Sequence, residues 1–266
     1  MVAPSKIPAL PGQENKSDRI GCRKLAMFSG KGLLHAVKVP TEQHEADRHL
    51  VRLREQLVRK KHAVKLQIRS FLLQRGIAEP EGLGHWAGRA IDGLRHIVMG
   101  DELRFCLDRL LDENQHAGEQ VTRVSSRVKE LAAAERHQGT VSSVTSVPYV
   151  GLVTAMIFRT ELFAPERFQK ATEVTRICGL ALCVRRSGET RREGRLMKSG
   201  NTRLRTVLVE AAWRWIRVDD HARQCFRRLL ANTGNNKKAI VAMARKLATV
   251  LWKISVSGEP YRLAAA

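Results

Sequence analysis

Acidic residues, aromatic residues and long apolar runs are all scarce in this sequence, and each shortage removes a class of protein. With 26 Asp and Glu against 47 Lys and Arg, the formal charge is +21 and the isoelectric point about 10.6. That balance disfavours a small neutral substrate and favours a polyanionic partner, nucleic acid first. No apolar run approaches the roughly 18–20 residues that cross a bilayer, and no basic flank followed by an apolar core opens the chain. Neither a membrane span nor a secretory leader is expected, and the chain reads as cytoplasmic. The five cysteines, Cys22, Cys106, Cys178, Cys183 and Cys225, are odd in number and never spaced C-x-x-C. This excludes a disulfide framework or a zinc ribbon and predicts buried, reduced thiols. Aromatic residues make up only 5% of the chain, so Trp213, Trp215 and Trp252 are expected in a core rather than on a base-stacking platform.

What is present is a chain of 266 residues, 43% hydrophobic, with room for one large or two modest domains. Residues 1–136 carry 24 basic and 17 acidic residues, whereas 137–266 carry 23 and 9, so the positive excess doubles from 7 to 14 in the second half. The opening MVAPSKIPALPGQEN, with three prolines, forbids a helix, although Val2 to Ser5 fit the tail of a short strand. A helix is expected from Lys16 to Phe28, capped by Ser17 or Asp18 and stopped by Gly30 and Gly32. Beyond Pro40, apolar residues recur at three- and four-residue steps from Glu42 to Arg75, and Gly76 ends that helix. A second run, Leu103, Leu107, Leu110, Ala117, Val121, Val124, Val128 and Leu131, repeats every 3.5 residues with Asn114 as its polar exception. That is a coiled-coil pattern whose two helices pair with each other or across a dimer, or pack as ordinary helices of one bundle.

Residues 139–266 read as a compact helical domain. In SVPYVGLVTAMIFRTEL a Pro and a Gly form a short turn opening into an apolar helix, the outline of a helix-hairpin-helix element, in which Gly151 would let backbone amides approach a phosphate. Tyr149 stands where that outline usually has a small residue. Two amphipathic helices follow, one through Leu204 to Trp215, the other from Ile240 to Ile254 after a Gly stop and an Asn cap at Gly234 and Asn235.

Between them lies CVRRSGETRREGRLMKSGNTRLR. Arg185, Arg186, Arg191, Arg192, Arg195, Lys198, Arg203 and Arg205 face only Glu189 and Glu193 in this segment. Too polar and glycine-rich for a helix, it is expected to be a loop in which Gly188 and its neighbours bring backbone close to a phosphodiester while arginines neutralise it. A solvated loop adding only non-specific affinity is the alternative. Ser187 lies inside the cluster. A serine hydroxyl attacks phosphorus only when deprotonated beside a neutralised phosphate, so its surroundings make it a candidate nucleophile, with a simple turn serine as the plainer reading.

The order of SVPYVGLVTA, ICGLALCVRRSGETRREGRLMKSGNTRLRTVLVEAAW and KKAIVAMARKLATVLWKI resembles the C-terminal domain of the IS110 family of insertion-sequence transposases, the DEDD group that includes the Piv invertases. Upstream, VAPSKIP, KSDRIGCRKLA and VPTEQHEADRHLVRLREQLVRKKHAVKLQIRSFL resemble the end of that family's RuvC-like domain and the first helix of its linker. The resemblance implies a mainly α chain: a short remnant of an α/β RuvC-like domain (1–40), a coiled-coil helical linker (41–137) and a compact helical transposase domain (138–266). It implies DNA transposition through a serine that forms a covalent link to DNA, matched here by Ser187. Nucleic-acid contacts would come from Arg185, Arg186, Gly188, Arg191, Arg192, Arg195, Lys198, Asn201, Arg203 and Gly151. It also implies a guiding non-coding RNA, a dimer or tetramer, a prokaryotic nucleoid setting, and magnesium on an acidic tetrad. Asp18 matches the third acidic position, the fourth falls on Gly21, and the first two would lie before Met1, so the metal site is incomplete and the chain reads as N-terminally truncated. Two functions stay open: a serine-using transposase, or a remnant that only binds DNA or RNA or regulates a full-length transposase.

Overall fold

The computed structural model describes residues 2, 7, 17–34, 36–187, 190–197 and 199–262, with the backbone alone for 184–187, 190–193 and 195. The described chain is mainly helical and forms two units, Met1–Glu45 and Ala46–Ala266. In the first, α1 (Asp18–Gly30) is capped by Ser17, whose hydroxyl accepts the Ile20 amide at 3.4 Å. Gly32 closes it with φ +64°, a conformation that costs a residue with a Cβ. Of the expected strand, Val2 forms one antiparallel bridge to Ala36, and Ala3–Ser5 lie outside the described residues.

The second unit holds all but the first five residues of the stretch read as a linker, and the whole of the one read as a helical domain. Its longest helices are α2 (Glu42–Gln74) and α4 (Asp101–Ala133), with the short α3 (Gly88–Arg95) between them. α2 and α4 run antiparallel, because Arg54 meets Ser125 at 3.0 Å whereas Lys60 meets Glu113 at 3.6 Å. Of the pairings open to the sequence, the two helices take the one within the chain. Mid-helix Gly118 sits where a Cβ would stand 3.1 Å from Lys61 Nζ. Far from the bundle, Val64, Ile68, Leu72, Leu83, Ala90, Leu94, Leu107 and Leu111 form a small core. Asn114 is buried in α4 as the heptad pattern placed it, its Oδ1 without a hydrogen-bond partner.

The larger core joins the near ends of α2 and α4 to α5 (Glu135–Thr145), α6 (Leu152–Leu162), α7 (Ala171–Ile177), α8 (Thr202–Val218), α9 (Asp220–Thr233) and α10 (Asn236–Ser257). α10 runs through its middle, burying Ala239, Ile240, Met243, Ala244, Leu247, Ala248, Leu251 and Ile254. Their three- and four-residue spacing makes a wide apolar stripe. Asn235 caps it through the amides of Lys237 and Lys238, and Gly234 closes α9 in the left-handed conformation. Asp219 caps α9 and accepts hydrogen bonds from Tyr261 Oη at 2.6 Å and Trp215 Nε1 at 3.2 Å, fixing residues beyond α10 to the bundle. Burial and this carboxylate push the Tyr261 phenol up to about 12. At the other side, Asp47 of α2 accepts both forks of Arg136 at 2.8 and 2.9 Å and the buried His137 Nε2 at 2.8 Å.

Three expectations need correction. The segment after Cys183 is a β-hairpin rather than a loop: β1 (Leu182–Ser187) pairs antiparallel with β2 (Thr190–Leu196). Arginines and glutamates throughout hide the in-and-out alternation of a strand, yet only two residues separate the paired runs, the span of a tight hairpin turn. Cys22, Cys106 and Cys183 are exposed, and only Cys178 and Cys225 are buried; burial pushes the Cys178 thiol up to about 12. Trp215 is in the core, but Trp213, two residues earlier and so on the other face of α8, is 38% exposed against Phe226. Among the described residues no helix is long and apolar enough to cross a membrane.

Candidate nucleic-acid interface

The hairpin grows from a short chain crossing just before α8. Gly200, with φ +108°, lies flush on Gly179: a Cβ there would stand 2.5 Å from Gly179 Cα and 2.7 Å from the Arg176 carbonyl oxygen. Glycine is therefore the residue that lets the two backbones touch. Two arginines then secure the crossing by their forks. Arg205 donates to the Gly179 carbonyl at 2.8 Å and the Met197 carbonyl at 3.5 Å, and Arg245 of α10 donates to Leu180 at 3.1 Å. Backbone bonds from Met197 to Ala181 and from Asn201 to Ile177 complete the root.

Asn201 turns this root into the start of α8. Its Oδ1 accepts the Arg203 and Leu204 amides at 2.9 and 3.3 Å, an N-cap. Its Nδ2 donates to Glu161 at 2.6 Å. Glu161, its side chain 1% exposed, also receives a two-pronged bond from Arg52 of α2 at 2.6 and 2.8 Å. Burial pushes the Glu161 carboxyl up, but hydrogen bonds from Arg52 and Asn201 and the charges of Arg52 and Arg203 outweigh it and hold it below the usual carboxylate range. Arg203 is tied in turn to Glu55 at 2.7 Å. The buried carboxylate thus links α2, α6 and the hairpin root.

The expected residues fall in three groups. In the hairpin, Arg185 pairs with Arg192, Arg186 with Arg191, and Ser187 with Thr190, while Arg195 lies on β2 near the root. Gly188 and Lys198 lie outside the described residues. Asn201 and Arg203 sit at the root, engaged by Glu161 and Glu55. Gly151 is the N-cap of α6 and offers the first-turn amides no side chain. It ends a tight turn in which Val147 and Val150 are buried and Tyr149 takes φ +63°, which explains why a small residue suits that place. Asp18 is exposed in the first turn of α1, and among the described residues no group of three or more His, Cys, Asp or Glu stands ready for a metal.

Sequence reasoning missed Glu161, Arg52 and Gly179, and read Gly200 as a loop glycine approaching phosphate rather than as the residue that packs on Gly179. A lone Glu in the apolar run LVTAMIFRTEL was the available signal, because a carboxylate enters such a helix only with a partner.

The model of the Transposase IS116/IS110/IS902 family matches residues 141–227, from α5 through the hairpin and its root into α9. The chain is 32% identical over 213 residues to the putative transposase y4qE of Sinorhizobium fredii, covering 80% of this chain and 51% of that protein. It is 24% identical over 263 residues to the transposase for insertion sequence element IS1111A of Coxiella burnetii, covering 95% and 70%. With the transposase for insertion sequence element IS1328 of Yersinia enterocolitica it shares 27% over 259 residues, covering 94% and 74%. It thus spans about half the length of the first relative and about three quarters of the last. The matched span contains the hairpin and the backbone bonds at its root, and on these grounds residues 141–227 form a transposase domain of the IS116/IS110/IS902 family, in a chain similar along most of its length to these transposases.

Proposed function

We propose that the chain binds DNA and acts in transposition, with the hairpin as the arm that meets the phosphodiester and Ser187 as the nucleophile. One observation carries the reading. Successive rungs of the hairpin pair Arg185 with Arg192 and Arg186 with Arg191, next to Ser187. Like charges directly opposite each other destabilise a strand pair, so an arm built this way is completed by an anion. Alternate residues of a strand share a face, so the rung of Arg185 and Arg192 falls on the same face as Ser187, and its two guanidinium groups would spread the charge that develops when a nucleophile adds to phosphorus, while Arg186 and Arg191 on the other face would meet a neighbouring phosphate. The Ser187 oxygen forms a bond to phosphorus as the bond to the leaving sugar oxygen breaks; solvent takes the serine proton and returns one to the leaving oxygen. Joining to a second strand is the same exchange in reverse. The root network of Glu161, Asn201, Arg205 and Gly200 would fix where the arm stands.

Magnesium, which family resemblance implies, does not fit the donors described: one exposed carboxylate, Asp18, is fewer than the shaped set of oxygens such an ion takes. A guiding RNA and a dimer or tetramer belong to the same proposal and would supply the site choice and the second active arm.

The test is to incubate the purified chain with duplex DNA, with and without co-purified RNA, and to run the mixture boiled in detergent. A covalent protein–DNA band that vanishes in Ser187→Ala is the expected result, and a band that survives that change overturns the serine's role. The lone carboxylate at Asp18 favours a second reading, a member that binds DNA or RNA or regulates a longer transposase without cutting. Tight binding with no adduct under any condition would select it.

A further inference from the structure

Beside the hairpin root, a groove of about 600 Å³ runs between α2, the first turn of α6 and α8. Thr202, Thr206, Glu210 and Arg214 form its α8 wall. Their four-residue steps place them along one face of that helix. Arg54, Glu55 and Arg59 come from α2, and Thr154 and Ile157 from α6. Its charge is lopsided, with four arginines, counting Arg203, against Glu55 and Glu210. Glu55 is already neutralised by Arg203 at 2.7 Å, and Arg54 donates to Ser125 at 3.0 Å. Arg59 and Arg214 are different: both are exposed, they stand on opposite walls, and neither has a hydrogen bond or ion pair among the described residues. The α6 amides at the groove have no side-chain cap, and the exposed hydroxyls of Thr202 and Thr206 add donors.

We propose that this groove is a second nucleic-acid seat, holding a stretch of sugar–phosphate backbone with a phosphate between Arg59 and Arg214. Forked guanidinium donors suit phosphate oxygens, hydroxyls reach neighbouring oxygens, and the apolar floor of Ile157 and Val207 takes sugar faces. The inference rests on the reading of the hairpin as a DNA-handling arm and extends it. Thr202 and Arg203 are both groove residues and the first residues of α8 after the hairpin anchor at Gly200 and Asn201. A strand leaving the arm's root therefore passes directly along α8. Backbone contacts of this kind position a strand and carry no sequence preference. DNA and RNA share the chemistry, so the polymer is left to the measurement.

The experiment measures binding of fluorescent single-stranded DNA, duplex DNA and RNA to the full chain over a series of salt concentrations. The variants are Arg59→Gln with Arg214→Gln, the four-residue change Arg185, Arg186, Arg191 and Arg192→Gln, their combination, and Arg109→Gln with Arg127→Gln as a charge-matched control on α4. Loss of two phosphate contacts lowers the slope of log affinity against log salt by about two and weakens binding roughly tenfold near 0.1 M salt. That drop is expected in the groove variant, and again when the groove change is added to the hairpin change, but not in the control. The polymer that shows it is the occupant. A groove variant indistinguishable from the parent on all three polymers overturns the second seat, as does an equal drop in the control. In either case a hairpin variant that still weakens binding leaves the DNA-handling arm standing, whereas failure of both changes removes both readings.

Discussion

Asn201 donates its side-chain amide to the Glu161 carboxylate at 2.6 Å while its oxygen caps α8, so one residue joins a buried charge to the first turn of the helix that follows the hairpin. Glu161→Ala removes the carboxylate that accepts from both Arg52 and Asn201. Because Arg52 is 31% exposed and regains some water, the expected loss is about 2–3 kcal/mol, below the 3–5 of a fully buried pair. A urea titration should show this as a lower midpoint with an unchanged slope. Loss of under about 0.5 kcal/mol would mean that the network is not closed in solution.

Acid should loosen the same region. Burial pushes the carboxyls of Glu161 and Asp219 up. The bonds from Arg52 and Asn201 to Glu161, and from Tyr261, the Ala222 amide and Trp215 to Asp219, hold both below their ordinary values. A folded-state value below the unfolded one means stability that is fully present above the unfolded pKa and lost as pH falls through the folded one. Unfolding free energy should therefore be flat near neutrality and decline between about pH 5 and about pH 3. In Glu161→Gln the decline should be shallower; an identical pH profile in that variant would remove Glu161 from the account.

Two glycines should respond in opposite ways to alanine. At Gly200 a methyl meets backbone, 2.5 Å from Gly179 Cα, at φ +108°, so Gly200→Ala is expected to cost upwards of about 3 kcal/mol or prevent folding. At Gly118 the methyl meets only the mobile end of Lys61 at 3.1 Å, and the helix gains up to about 1 kcal/mol in propensity. Thermal melts of the two variants should fall on either side of the parent, and a Gly200→Ala protein that melts with the parent would contradict the tight crossing at the root.

Where burial dictates one face of a helix, the sequence was readable. Ser17, Gly76, Gly234 and Asn235 marked helix ends correctly because caps and stops are local chemistry, and α2, α4, α8 and α10 followed from apolar spacing. The hairpin was not readable by that route, since a strand pair with arginines at both partners of successive rungs has no apolar face to betray it. α9 carries the same apolar signal as the other helices, with Ala222, Cys225, Phe226 and Leu229 at helical spacing behind the Asp219 cap, and went unread. At the candidate site, the arginine-rich segment stood out by composition, whereas its support did not: Arg52 and Glu161 are 109 residues apart in the chain, and only folding brings them together. Asn201 and Arg203, read from sequence as nucleic-acid contacts, have partners within the protein at Glu161 and Glu55. An arginine's charge is visible in a sequence, but whether that charge is already spent is a property of the fold.

Asn114 gives the sharpest test of the helix pair. It stands at a core position of α4, 5% exposed, with Oδ1 unpartnered. A buried carbonyl oxygen without a donor costs about 1–3 kcal/mol, and a polar residue at such a position commonly trades stability for a fixed register. Asn114→Leu should therefore raise the unfolding free energy by about 1–2 kcal/mol, the gain from removing an unsatisfied group and adding apolar burial less some strain from the longer side chain. If register is what the asparagine secures, the variant should also change how α2 and α4 pair. Cysteines placed at Arg54 and Ser125, in a chain otherwise free of reactive thiols, would then crosslink less completely than in the parent. A variant that is destabilised would show that Asn114 is paired in solution and would overturn the assignment of its oxygen as unsatisfied.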